Sequence, residues 1–461
     1  MAAAKKPARK PRRQYTDEEK AGFREKQQAE LKEIAASIEK GVESFRDSDR
    51  YKEFLSVMAT FHNYSFRNVM LICGQNPNAS VVAGFNKWKE MGRHVKKGEK
   101  GLRILAPLMR KAKDDGKEQA EEAAAEDQDK KVLYGFKAVS VFDVSQTEGK
   151  PLPALAIEPS AAVDHFDALL SALQQISDVP IVLADPDRLT ACMGEGVKGF
   201  FTNNAGAYGK DLGVPGIPAG AMICVQDGMP EAMTAKTLIH ELAHSLLHAE
   251  GCEHEGDRRD IREFDAESVA FVVAKHLGID TDDYSFPYLS SWVRDKTPQV
   301  LQAELPLIVK TAASVIGRLD PVLQREILRE QAGREMQPGD CRVWQVSTKE
   351  APLPEAADLA PGEGTVNRSV YDLVYEGRAE GGPTREEAKS IMDMLTKAPP
   401  AAFDTKSRLS VVEIRGGDGT SQAWCMSGEK PVPLKSFAEQ GPVRERPQIR
   451  RSQKRQEAMT R

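Results

Sequence analysis

Apolar positions recur with a helical period through the first part of the chain. Residues 16–45 read as helix and open on a capping box, Thr16-Asp17-Glu18-Glu19. Residues 51–75 predict more helix, with Phe54, Leu55, Met58, Phe61, Met70, Leu71 and Ile72 as apolar positions. The period then shortens. Val81-Val82-Ala83-Gly84-Phe85 and Leu102-Arg103-Ile104-Leu105 are strand-like around a Gly-punctuated turn, and strand signals return over residues 132–144. The stretch Gln146-Thr147-Glu148-Gly149-Lys150-Pro151-Leu152-Pro153 has the composition of a linker. A helix over 161–176, a strand over 180–184 and a second strand over 220–226 follow. Asp227-Gly228-Met229-Pro230-Glu231 then starts a helix that Gly251 stops, with Ile239, Leu242, Ala243, Leu246 and Leu247 as its apolar stripe. Another helix runs from Arg262 to Leu277, before Gly278. Beyond Thr311 the pattern weakens into strands at 341–347, 369–377, 409–414 and 422–426, with one helix at 384–397 capped by Thr384 and Glu387.

These runs predict an α+β, multidomain chain. A basic arm (1–14) precedes a mixed α/β domain (15–147), a linker (148–158), a second domain (159–310), a small α+β domain of no evident chemistry (335–440) and a basic tail (441–461). With 461 residues, 40% hydrophobic and 29% charged, there is enough chain for two or three cores. The net charge of −5 argues neither for nor against nucleic acid, so local patches must decide. The arm holds six Lys/Arg and no acid, the tail from 444 has seven against two acids, and 114–130 is an acidic insert with eight acids and two Lys. Six scattered Cys with no CxxC pair support neither a disulfide framework nor a Cys-based zinc site. No unbroken apolar run of membrane-spanning length and no secretory apolar region stand out, which predicts a soluble, cytoplasmic protein.

The candidate chemistry lies on the helix that follows residue 226. His240-Glu241-Leu242-Ala243-His244 spells HExxH: two imidazoles four residues apart share one helical face and can reach one metal ion. Glu241, beside the first His, is then placed as general base toward a water. A third protein ligand is needed. His248 is eight residues from His240, about 12 Å along an unbroken helix, too far to converge. Leu247 stands where a metzincin would carry Gly. Three candidates remain: Glu263 and Glu267, one turn apart on the helix otherwise rich in Ala, Val and Phe, and His254 in the loop before it. Tyr284, Tyr288 and His254 are candidates to stabilise an oxyanion.

Residues 87–113 contain ten Lys/Arg against two acids, interleaved with Trp88. Cations around Gly turns approach phosphates, and an aromatic face stacks on an unpaired base whatever its sequence, which favours single-stranded nucleic acid. A basic hairpin with Trp88 in its core is the competing reading. Tyr64 through Ile72, Gln75-Asn76-Pro77, Val82 through Phe85, Trp88 through Lys100, Leu105-Ala106-Pro107-Leu108 and Val141 through Thr147 resemble the N-terminal domain of ArdC-type antirestriction proteins. The segment 263–280 with Tyr284-Ser285-Phe286-Pro287-Tyr288-Leu289 extends the likeness, which covers roughly 15–300. The acidic insert and the last 150 or so residues depart from it.

That resemblance implies a single-stranded-DNA-binding domain followed by a zincin-like metallopeptidase domain, in a protein that shields incoming plasmid or phage DNA from restriction. It implies His240, His244 and Glu263 as ligands to Zn²⁺ or another divalent metal, Glu241 as catalytic base and Glu267 as the acid that holds a ligand His. The implied partners are single-stranded DNA, through Trp88, Lys87, Arg93, Lys96, Lys97, Lys100, Arg103 and Asn68, and an unidentified protein substrate. A chain that only coats DNA, with a catalytically silent, structural metal site, is the alternative.

Overall fold

The computed structural model describes residues 17–111, 131–151, 165–214, 220–252, 254, 256–332, 334–346, 365–368, 371–379, 381–397, 399–400, 403, 410–426, 431–438 and 450–451. Of these, residues 17–21, 23–24, 110–111, 131, 282–288, 346, 365–367, 436, 438 and 450–451 are described by their backbone alone. The basic arm, the acidic insert and most of the basic tail lie outside the described residues. The chain folds as two compact units, one of Met1–Phe45 with Phe66–Lys150, the other of Arg46–Ser65 with Pro151–Arg461.

The first unit is built on an antiparallel hairpin, Leu102–Lys111 with Lys131–Asp143, and Val82–Ala83 pairs with the far edge of the second strand. Helices Asp17–Ser44 and Phe66–Gln75 cover it, with Ile34, Leu71 and Leu105 in their shared core. Two side-chain amides fix the second helix to the hairpin. Asn68 donates to Leu105 O and accepts from Leu105 N, and Gln75 does the same with Arg103. Trp88 lies on a short helix, Phe85–Glu90, rather than on a hairpin. The expected linker begins inside this fold, because Thr147–Gly149 pairs with Arg93–Val95.

The second unit centres on a four-stranded sheet in the order Arg450–Arg451, Ile181–Ala184, Met222–Gln226, Gly199–Thr202, with only the last strand antiparallel to its neighbour. Strand Met222–Gln226 is paired on both sides, and among the described residues Gly199–Thr202 is the edge. Helix Glu231–Leu247 follows the central strand and packs against helix Arg259–His276. The expected 51–75 helix is two, Ser48–Thr60 and Phe66–Gln75, and the first folds with the second unit. There Tyr51 stacks on Phe264 at 5.7 Å and its hydroxyl meets Ser268 Oγ at 2.8 Å.

Helix Pro298–Ala332 is long and apolar enough to cross a membrane by length and composition alone, but Glu304, Lys310 and Arg318 interrupt it, so it is not the unbroken apolar run whose absence the sequence shows. Leu301, Leu305, Ile308, Ala312, Val315 and Leu319 are nevertheless buried, and the helix packs on Phe166–Ile176 and on Arg259–His276 as a core helix does. The C-terminal elements match the pattern read from sequence. Strands Asp340–Val346, Tyr371–Arg378, Ser410–Arg415, Ser421–Cys425 and Val432–Pro433 make a five-stranded sheet, with helix Arg385–Lys397 packed on one face.

Candidate metal centre and nucleic-acid surface

Leu238, Ile239, Leu242 and Ala243 bury one side of helix Glu231–Leu247, and His240 and Glu241 line a cleft of about 1430 Å³, with His244 one turn further along. The two Nε2 atoms stand 3.2 Å apart. Glu263 Oε2, from the first half of helix Arg259–His276, lies 3.5 Å from His240 Nε2 and 3.7 Å from His244 Nε2. An ion with bonds of roughly 2.0–2.2 Å sets ligand atoms about 3.3–3.6 Å apart at tetrahedral corners. The three atoms therefore fit such an ion, and two imidazole nitrogens with a carboxylate oxygen are a ligand set suited to a Zn²⁺-class cation.

The other two candidates for third ligand lie elsewhere. Glu267 Oε2 is 3.0 Å from Nδ1 of His240, the nitrogen that points away from the centre, while its other oxygen pairs with Lys236 Nζ at 2.8 Å. His254 contacts Asp257 Oδ2 at 2.9 Å. The tyrosines 284 and 288 fall where only backbone is described, so their candidacy lies outside the described side chains. Burial would lower His240, but Glu263 and Glu267 outweigh it and lift the imidazole to about 9. The contacts of Glu263 with both imidazoles hold its carboxyl far below the usual range.

His248 enters in a way the spacing argument misses. The helix ends at Leu247, and His248 Nδ1 lies 3.0 Å from His244 Nδ1. When His244 presents Nε2 to a cation, its Nδ1–H donates to His248 Nδ1, and the remaining His248 N–H then faces Asp265 Oδ2, 3.9 Å away. Each of the two imidazoles is thus backed on its rear nitrogen, His240 by a carboxylate and His244 by a second imidazole. The i, i+4 spacing of His244 and His248 is the sequence signal that could have found the second of these supports; the first, Glu267, is the acid that the family resemblance implies.

Glu241 is buried, and burial raises its carboxyl above the ordinary value. The backbone amide of Phe201 offsets part of that rise, which sets the edge strand Gly199–Thr202 against the Glu241 carboxyl. Gly199 permits that approach: a Cβ there would sit 2.7 Å from Thr237 Cγ2 and 3.1 Å from Cys224 O. Lys198, Lys236, Arg258 and Arg259 also line the cleft, as does Trp292.

In the first unit the structure removes three of the expected nucleic-acid contacts. Trp88 is fully buried, with its indole N–H bonded to Phe142 O, so its ring cannot stack on a base. Asn68 is buried and spends its amide on Leu105. Arg93 directs its guanidinium to Thr147 and to Lys150 O. Arg103 is partly committed, to Glu30 and Ser140. Lys87, Lys96, Lys97 and Lys100 are exposed, although Lys96 Nζ donates to Ser145 O and Lys87 lies 3.6 Å from Glu90.

Residues 24–142 match the family of the N-terminal domain of anti-restriction factor ArdC. The chain carries an ArdC-type domain. The match runs through residues 46–65, which fold with the second unit. An uncharacterized protein of Bacillus anthracis, pXO2-81, is 28% identical over 352 residues, 71% of this chain and 57% of that protein. The chain therefore spans little more than half the length of this curated relative. Two crystal structures of antirestriction ArdC from plasmid R388, one metal-free and one Mn(II)-bound, are 18% and 20% identical at a TM-score of 0.32 each. Each comparison covers 57% of this chain, with 85% and 84% of the respective neighbour.

The ArdC-type domain presents other aromatic surface in place of Trp88. Phe85, Tyr134 and Phe136 are exposed, and Met109 and Leu133 lie exposed on the same hairpin as the last two. Alternation along that strand hid them, because tyrosine and phenylalanine in a strand pattern read first as core.

Proposed function

We propose that this chain is a DNA-protection protein of the antirestriction type, which binds single-stranded DNA through its ArdC-type domain and carries a zincin-like, metal-dependent peptidase centre in its second unit. The observation that carries the enzymatic half is the convergence of His240, His244 and Glu263 beside the buried carboxylate of Glu241, at the wall of one cleft. The exposed lysines and aromatic rings of the first unit support the DNA half.

His240, His244 and Glu263 hold the ion, of the Zn²⁺ class or another divalent metal. Bound there, it supplies Lewis acidity toward a peptide carbonyl and a water. Glu241 takes a proton from that water as its oxygen bonds to the carbonyl carbon. It then delivers the proton to the amide nitrogen as the C–N bond breaks, so the carboxylate returns to its starting state. Among the described residues Gly199–Thr202 is an edge strand, and its free side is where an extended peptide would pair and lay a scissile bond along the cleft. Glu267 and His248 fix the two imidazole rings during these transfers.

The test is transfer of restriction-sensitive DNA into a restricting host, with wild type, Glu241→Gln and a Lys96→Ala/Lys97→Ala/Lys100→Ala chain. Protection lost in both variants supports the joint function. Protection kept by Glu241→Gln but lost in the lysine variant assigns it to DNA coating and leaves the peptidase without a role in it.

A further inference from the structure

The loop between the two helices of the metal centre brings together a second set of ligand-type side chains. His254 and Asp257 lie on it, Glu304 reaches them from helix Pro298–Ala332, and one donor atom from each lies within 4.8 Å of the others. None of the three belongs to the centre described above. His254 Nδ1 and Asp257 Oδ2 are 2.9 Å apart, which orients the imidazole. Asp265 stands behind them. It is fully buried, and its carboxylate meets that of Glu304, two acids facing each other with no donor from any other side chain on the Asp265 oxygens. Asp257 opposes its ionisation, and Glu304 Oε2 is likewise buried with no donor facing it. His248 Nε2, at 3.9 Å from Asp265, is too distant to satisfy it.

Buried carboxylates without donors need either a proton or a cation between them. Lys296, the neighbouring ammonium, is already held by Asp260 at 2.5 Å. We propose that His254, Asp257 and Glu304, backed by Asp265, bind a second divalent cation distinct from that at His240, His244 and Glu263. One imidazole with carboxylate oxygens suits Mn²⁺ or Zn²⁺ better than the all-oxygen cage Ca²⁺ prefers. The cation pins the loop to the long helix. Arg258 and Arg259, which line the active cleft, follow directly on Asp257, so the second site sets where these two cations stand.

The test uses the full chain and Mn²⁺ as probe, with His240→Ala/His244→Ala as background so that the first centre is silent. Equilibrium dialysis should then show about one Mn²⁺ per chain, and Mn²⁺ should raise the thermal midpoint of this variant. Adding Asp257→Asn with Glu304→Gln should abolish both effects. His254→Gln, at a half-buried loop position and mild for the fold, should weaken binding at least about tenfold. Absence of Mn²⁺ binding in the background variant, or binding undiminished by the loop and Glu304 substitutions, overturns the proposal. Stabilisation that follows pH but not Mn²⁺ also overturns it, by assigning the Asp265–Glu304 pair to a shared proton. Peptide cleavage plays no part in these readouts, so this site and the proposed peptidase fail separately.

Discussion

Replacing Glu267 with Gln separates the two jobs its carboxylate performs. Its oxygens lie 3.0 Å from His240 Nδ1 and 2.8 Å from Lys236 Nζ, and the side chain is 5% exposed. The amide keeps the shape and can still accept from His240, but it removes the negative charge that raises the basicity of the imidazole. Such partners are typically worth about 10–100-fold in metal affinity, or about 1.4–2.7 kcal/mol. Lys236 loses its counter-charge at the same time. Removing one partner of a buried pair costs about 3–5 kcal/mol, and Lys236, 15% exposed, keeps enough water to sit at or below the low end of that range. Glu267→Gln should therefore lose both Zn²⁺ affinity, measured by chelator competition, and stability, measured by urea unfolding of the metal-free chain. Lys236→Met/Glu267→Gln should regain most of the stability and none of the affinity. Unchanged affinity in Glu267→Gln, or affinity restored by Lys236→Met, would refute the argument that the carboxylate tunes His240.

Trp88→Ala should cost about 3–5 kcal/mol of stability, because the ring is core. Tyr134→Ala and Phe136→Ala should leave the melting temperature near wild type and weaken oligo-dT binding by about 1–3 kcal/mol per stacked base; the reverse outcome would return stacking to Trp88. Burial pulls His276 down, but Asp320, 3.0 Å away, outweighs it and holds the imidazole above 6.5. That pair stabilises fully below the unfolded imidazole value and fades as pH rises through the raised one. His62, whose ring lies 4.8 Å from His276, is lowered by burial and by His276 and so destabilises as pH falls. Asp320→Asn removes the first effect and also the smaller upward pull of Asp320 on His62, both of which favour the folded chain at low pH, so its loss in melting temperature should be larger near about pH 5.5 than near about pH 8; an equal loss at both would sink the assignment. Gly199→Ala forces a Cβ to 2.7 Å from Thr237 Cγ2, and should destabilise by about 1–3 kcal/mol. It should also slow any cleavage by shifting the strand that holds Glu241, whereas full activity would show that Phe201 does not position the base.

The helix carrying the HExxH residues was legible because local signals agreed. Pro230 fixed its start and the spacing of its apolar stripe fixed its buried side. The C-terminal strands were legible for the same reason. The long helix Pro298–Ala332 was not, since Pro306 and Pro321 lie inside it and local propensity forbids what packing on two other helices sustains. Membership of Ser48–Thr60 in the second unit was hidden, because only the contact of Tyr51 with Phe264 and Ser268, distant in sequence, reveals it. In the metal centre, periodicity put Glu263 and Glu267 on one face but could not say which meets Nε2 and which meets Nδ1. That difference depends on how two helices cross. The basic run around Trp88 misled for a related reason: composition locates cations near an aromatic ring without telling which of them the fold consumes, and Arg93 and Trp88 are consumed.

The most direct measurement of the peptidase reading is casein cleavage by purified wild type and Glu241→Gln, each brought to the same metal content. Wild type should cleave, and the variant should bind metal equally while losing at least about 10²-fold in rate, as expected on removing a general base. Cleavage at the same rate by both chains, or none by the metal-loaded wild type, would contradict the assignment of Glu241 and with it the account of this centre.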